Sequence, residues 1–104
     1  MGILQDEVLE ILQEKLAEAL EDKEEGVRYA AVIALAKIKD ARTMPALIPT
    51  LGDKAFLVRR GTVAALGEIG DKRARGILEE IAKSDPNNSV RKVVQEALIR
   101  IREK

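Results

Sequence analysis

The sequence predicts an all-α fold, an α-solenoid of about six helices stacked as helix-turn-helix repeats. Three observations predict it. Apolar positions recur at helical spacing in three segments that start 31 and then 32 residues apart. Aromatic residues number two, Tyr29 and Phe56, so Leu, Ile, Val and Ala must fill the core, which favours closely packed helices. The chain has 104 residues, 46% of them hydrophobic, which is enough for one core and one domain.

Residues 1–26 read as an amino-terminal capping helix. From Ile3 to about Lys23 there is neither Pro nor Gly, and Leu4, Val8, Ile11, Leu12, Leu16, Ala19 and Leu20 fall on helical spacing. Residues 27–57 form a repeat. Val27-Arg28 opens a first helix that continues through Ala31, Ala34, Leu35 and Ile38, and Asp40 caps a second that carries Met44, Leu47, Ile48 and Leu51 and stops at Gly52. Pro49 lies too deep for the free first turn, so it is expected to bend or weaken that second helix.

Residues 58–89 repeat the pattern. Val58-Arg59, Thr62, Ala65, Leu66 and Ile69 make the first helix, then Asp71 opens a second with Ile77, Leu78 and Ile81, and Ser84-Asp85-Pro86-Asn87-Asn88-Ser89 is a turn. Residues 90–104 supply a half repeat with Val90-Arg91, Val94, Ala97, Leu98 and Ile101 at the same offsets. Aligning Val27 with Val58 sets Leu16 on Leu47 and Leu20 on Leu51, so the first helix matches the second helix of a repeat. With the two helices of a repeat called A and B, the order is B, A-B, A-B, A, and stacking gives a continuous core that no single hairpin could bury. Leu35, Leu66 and Leu98, with Ile38 and Ile69, are expected to be nearly fully buried. Gly61, in the column of Ala30 and Val93, is expected at a close helix contact.

The run Val-Arg-x-x-Ala-x-x-Ala-Leu-x-x-Ile, followed by Asp-x-Arg-x-x-Pro-x-Leu-x-x-x-Leu, resembles the short HEAT-like repeats related to those of phycobilin lyases. The resemblance covers roughly residues 14–104 and departs at Gly76, which stands where Pro45 does in the other copy. It implies a solenoid and says little about activity. In HEAT-like repeats an Arg at the position of Arg28, Arg59 and Arg91 commonly pairs with an Asp of a repeat turn. Asp22, Asp53 and Asp85 stand six residues before these arginines, so a ladder of exposed pairs is expected, each contributing little.

The chemistry available is narrow. There is no Cys and no His, which removes disulfides, thiolate nucleophiles, imidazole bases and the commonest transition-metal ligands together. Deoxyhypusine hydroxylases, which are built on similar repeats, hold iron with His-Glu pairs that this chain cannot supply. The neighbouring carboxylates Asp6-Glu7, Glu24-Glu25 and Glu79-Glu80 point about 100° apart on a helix and do not converge for acid-base work. Gly61, Gly67 and Gly70 lack the strand-turn-helix setting of a phosphate loop. Lys72, Arg73 and Arg75 form one short basic cluster, without the aromatics that nucleic-acid binding would want. The net charge is zero, but residues 1–25 carry nine acids against two lysines, a net of −7, which leaves +7 on the rest.

The expectation is therefore a non-catalytic protein-protein interaction or scaffold module, not an enzyme, with no cofactor and no metal. Its partner is expected to be a protein or peptide rather than nucleic acid or membrane, bound on the concave B-helix surface at Glu14, Glu18, Ala46, Thr50, Glu79, Glu80 and Lys83. Two alternatives stand beside it, a subunit of a phycobilin-lyase-like enzyme and a designed or consensus repeat protein without natural function. No run approaches the roughly 20 apolar residues that span a bilayer, and a cytoplasmic location is expected. The last helix carries Val90, Val93, Val94, Leu98, Ile99 and Ile101 in more directions than one neighbour covers, so a weak homodimer through the C-terminal helix, two-fold in form, is expected.

Overall fold

The computed structural model describes the backbone of residues 2–103 and the side chains of residues 5–103, so Leu4 of the first apolar stripe lies outside the described side chains. Six α-helices follow one another: α1 (Gly2–Ala19), α2 (Glu25–Ile38), α3 (Met44–Leu47), α4 (Phe56–Ile69), α5 (Arg75–Ser84) and α6 (Asn88–Glu103). No strand occurs among the described residues. The fold is an all-α solenoid in which α2, α4 and α6 are the A helices and α1, α3 and α5 the B helices. The slab measures 43 × 34 × 16 Å.

The repeat columns explain the core. Val58, Leu35, Leu66, Val90, Val94 and Ile101 are fully excluded from water. Leu47 and Leu78 join them from the B helices. Leu98, Ile38 and Ile69 pack against this core but are only half-buried, which corrects the expectation for those three. Ile38 and Ile69 each end their helix, so no further turn lies over them.

Local sequence sets the breaks. Pro45 begins α3 within its first turn, where a missing N–H costs nothing, but Pro49 cannot donate to a carbonyl one turn back. The helix accordingly lasts four residues and continues as a 3-10 turn, Ile48–Gly52. α2 and α4 end alike: the backbone N–H of Lys39 bonds to the Leu35 carbonyl and that of Gly70 to the Leu66 carbonyl. Both residues are left-handed, at φ 57° and 75°, which Gly accepts and Lys does not favour.

Two glycines lie at helix contacts, and one of them sets a helix spacing. A methyl on Gly67 would come within 2.9 Å of the Ala97 backbone and Cβ, so α4 and α6 approach as closely as they do because Gly67 has none. Gly61 does lie at a helix contact, but there a methyl would meet the Tyr29 ring at 3.1 Å.

Candidate functional site

The repeat turns are built to one plan. Asp22, Asp53 and Asp85 each accept a hydrogen bond from the backbone N–H two residues on, at 2.9 Å in all three. Six residues later an arginine reaches back: Arg28, Arg59 and Arg91 donate to the carbonyls of Asp22, Asp53 and Asp85 at 2.9, 2.9 and 2.6 Å. Two of these arginines also grip the carboxylate of the following turn. Arg28 donates through Nε and Nη2 to Asp53 at 2.8 and 3.0 Å, and Arg59 to Asp85 at 2.9 and 3.3 Å.

The ladder is thus present, but its pairs are not exposed, which corrects the expectation. Arg28 and Asp53 leave 7% and 8% of their side chains in water, and Arg59 and Asp85 leave 13% and 3%. Burial pushes the Asp53 carboxyl up, but the hydrogen bonds from Arg28 and the Ala55 N–H more than offset it and hold that carboxyl below its ordinary range. These arginines are therefore occupied within the protein and do not face a phosphate backbone. Arg73 of the short basic cluster is likewise tied to Asp71, at 2.8 Å.

Between α1 and α3 lies a cleft of about 300 Å³, lined by Glu10, Gln13, Glu14, Ala17, Leu35, Arg42, Thr43 and Ala46. Ala17 and Ala46, both half-buried, make its apolar part, with the buried Leu35 beneath them. Arg42 is held by Asp40 at 2.6 Å, and Gln13 donates to the same carboxylate at 3.0 Å. The Arg42 and Gln13 hydrogen bonds hold Asp40 well below the usual carboxylate range. With Arg42 neutralised in this way, Glu10 and Glu14 leave the cleft negative.

The residues expected to bind a partner do not form one strip. Glu14 and Ala46 share the cleft just described, and Glu18 is exposed on α1 beside Lys15. Glu79 lines a different groove with Arg75, Gln95, Leu98, Ile99 and Arg102, while Glu80 and Lys83 are exposed on α5. Thr50 is not available to a partner. It is buried, and its hydroxyl lies 2.6 Å from the Leu47 carbonyl and 2.6 Å from the Thr62 hydroxyl. Thr62, fully buried, lies 2.8 Å from the Val58 carbonyl. Each hydroxyl has one hydrogen, so one threonine donates to its carbonyl and the other to its neighbour. Thr62 stands in the apolar column of Ala31 and Val94, and a polar group there needs a partner, which was the signal for Thr50.

A metal centre does not fit these residues. The chain has no His and no Cys, and among the described residues no three carboxylates come together. No described helix is long and apolar enough to cross a membrane.

Comparison with known proteins brings a different kinship. The family model for HEAT repeats matches residues 13–99. A deoxyhypusine hydroxylase-B of Oryza sativa subsp. japonica is 33% identical over 90 residues, 85% of this chain and 30% of that protein. A deoxyhypusine hydroxylase of Arabidopsis thaliana is 35% identical over 85 residues, 80% of this chain and 27% of that one. The structure of human deoxyhypusine hydroxylase in complex with glycerol superposes with a TM-score of 0.80 at 29% identity, covering 88% of this chain and 32% of that one. The chain spans roughly a third of the length of the relatives it matches. These relatives are enzymes, which overturns the expectation of a non-catalytic interaction module and of a chain unrelated to catalysis; they are also not bilin lyases. With the family model spanning most of its length and the repeat turns built alike, this chain belongs to the HEAT-repeat family.

Proposed function

We propose that this chain serves an enzyme of the deoxyhypusine hydroxylase kind as the wall that receives substrate, with the metal ligands of such an enzyme supplied from outside these residues. The extent of the likeness carries this reading. It runs along 80–94% of the chain rather than over a single repeat, at 29–35% identity. The relatives are named for deoxyhypusine, an amine-bearing side chain. The cleft between α1 and α3 offers such a group two carboxylates, Glu10 and Glu14, beside the apolar surface of Ala17 and Ala46.

A peptide carrying deoxyhypusine, titrated into the labelled protein, tests this by NMR. Saturable shifts are expected at Gln13, Glu14, Arg42 and Ala46, lost in Glu10→Lys/Glu14→Lys. Shifts no larger than those produced by the same peptide with unmodified lysine would sink the reading.

A further inference from the structure

We propose that this protein associates head to tail, with the α1–α2 end of one copy seated against α6 of the next, as α4 packs on α6 within the chain. The register of the helices is the first support. By repeat position α1 is a B helix and α6 an A helix, so a second copy placed there continues the A-B alternation without a break.

The ladder is the second support. At the register where Arg28 and Arg59 grip the carboxylate of the following turn, Arg91 bonds to the Asp85 carbonyl and to Asn88 Oδ1 at 3.4 Å, and to no carboxylate among the described residues. At the other end Asp22 holds the Glu24 N–H as Asp53 and Asp85 hold theirs, yet no arginine reaches its carboxylate among the described residues. Arg91 lacks the acceptor that Asp22 is, and Asp22 lacks the donor that Arg91 is.

Exposure agrees. Leu12 stands at the register of Thr43 and Ala74, which are 6% and 0% exposed, yet Leu12 itself is 46% exposed. Val8 and Ile11 on the same stripe are exposed too, and so is Ile99 on α6, at 47%. Charge then selects the pairing. The α1 end carries the net −7 of residues 1–25, while α6 carries Arg91, Lys92, Arg100 and Arg102 against Glu96 and Glu103, a net of +2, with Arg100 paired to Glu68 of its own chain. A two-fold contact of α6 on α6 would set those cations against their own kind, whereas α1 on α6 sets acid against base. A head-to-tail contact leaves one free half at each end of every dimer, so growth passes the dimer, as a ring or an open stack, and weakens with salt.

Sedimentation at rising concentration, with circular dichroism to confirm the fold, tests this on wild type, Leu12→Glu and Ile99→Glu. Both substitutions are at exposed positions, and each removes one side of the junction. The wild-type mass is expected to climb past the dimer in low salt, and each variant alone to stay monomeric. Mixed in equal amounts, the two variants keep one intact junction and should form a heterodimer that grows no further. A wild-type protein that is monomeric at millimolar concentration would overturn the proposal. So would a Leu12→Glu variant that dimerises as well as wild type, since that is the behaviour of a two-fold contact through α6.

Discussion

Arg28 and Asp53 stand 25 residues apart in the chain and meet through two hydrogen bonds, with Nε 2.8 Å from Oδ2. The same guanidinium holds the Asp22 and Lys23 carbonyls, so one side chain ties two successive repeat turns together. Asp53→Asn removes the charge that offsets a buried guanidinium. It should destabilise the fold by about 2 kcal/mol, whereas Arg42→Met, at a side chain 66% exposed, should change little. Thermal or urea unfolding reads both, and equal losses would show that burial does not distinguish the pairs.

The same pair fixes a response to acid. The folded Asp53 carboxyl titrates below its ordinary range, so in that range the unfolded chain binds more protons than the folded one. Its contribution is complete above the ordinary carboxylate pKa of about 3.9 and is lost as pH falls through the lower folded value. Urea unfolding from pH 7 to pH 2 should show wild type losing stability below about pH 4, and Asp53→Asn losing less over the same interval. Parallel curves would remove Asp53 from the acid response.

Two glycines that look alike in sequence should behave differently. Gly67→Ala forces a methyl into the Ala97 backbone and should cost about 1–3 kcal/mol. Gly61→Ala crowds the Tyr29 ring, which is 41% exposed and can swing away, and meets Val32 Cγ1 at an ordinary contact of 3.6 Å, so better helix propensity should leave it neutral or more stable by up to about 1 kcal/mol. Chemical unfolding of both variants settles it, and a more stable Gly67→Ala would mean that α4 and α6 can separate at no cost.

Core depth separates two leucines of one column. Leu66→Ala empties a site with no exposure and should cost about 2–5 kcal/mol, whereas Leu98→Ala, half-buried, should cost about 1 kcal/mol. A Leu98 loss equal to that of Leu66 would mean α6 is covered by something beyond its own chain.

The repeat columns were legible because period and packing are the same thing in a stacked helix pair: Val58, Leu66 and Ile101 are buried for the reason their offsets repeat. The ladder was legible in residue type but not in burial, since Arg28 is covered only when two turns come together across 25 residues. Thr50 was misplaced for a similar reason. Its own helix gives no hint of the Thr62 hydroxyl, which comes from α4. The kinship with enzymes was set aside because the chain has no His for the iron-holding pairs the resemblance implied, yet the likeness runs along 85% of the chain.

The two joints between successive turns use the same parts: an aspartate that holds the N–H two residues on, and an arginine six residues later, Arg28 or Arg59, that spans back to its own turn and forward to the next. A segment equivalent to residues 27–57, duplicated in place, would bring both halves of that joint with it and would meet a matching half on either side. Lengthening such a chain by duplication therefore needs no new interface to be invented, and a gene carrying it can change the number of its repeats in a single step.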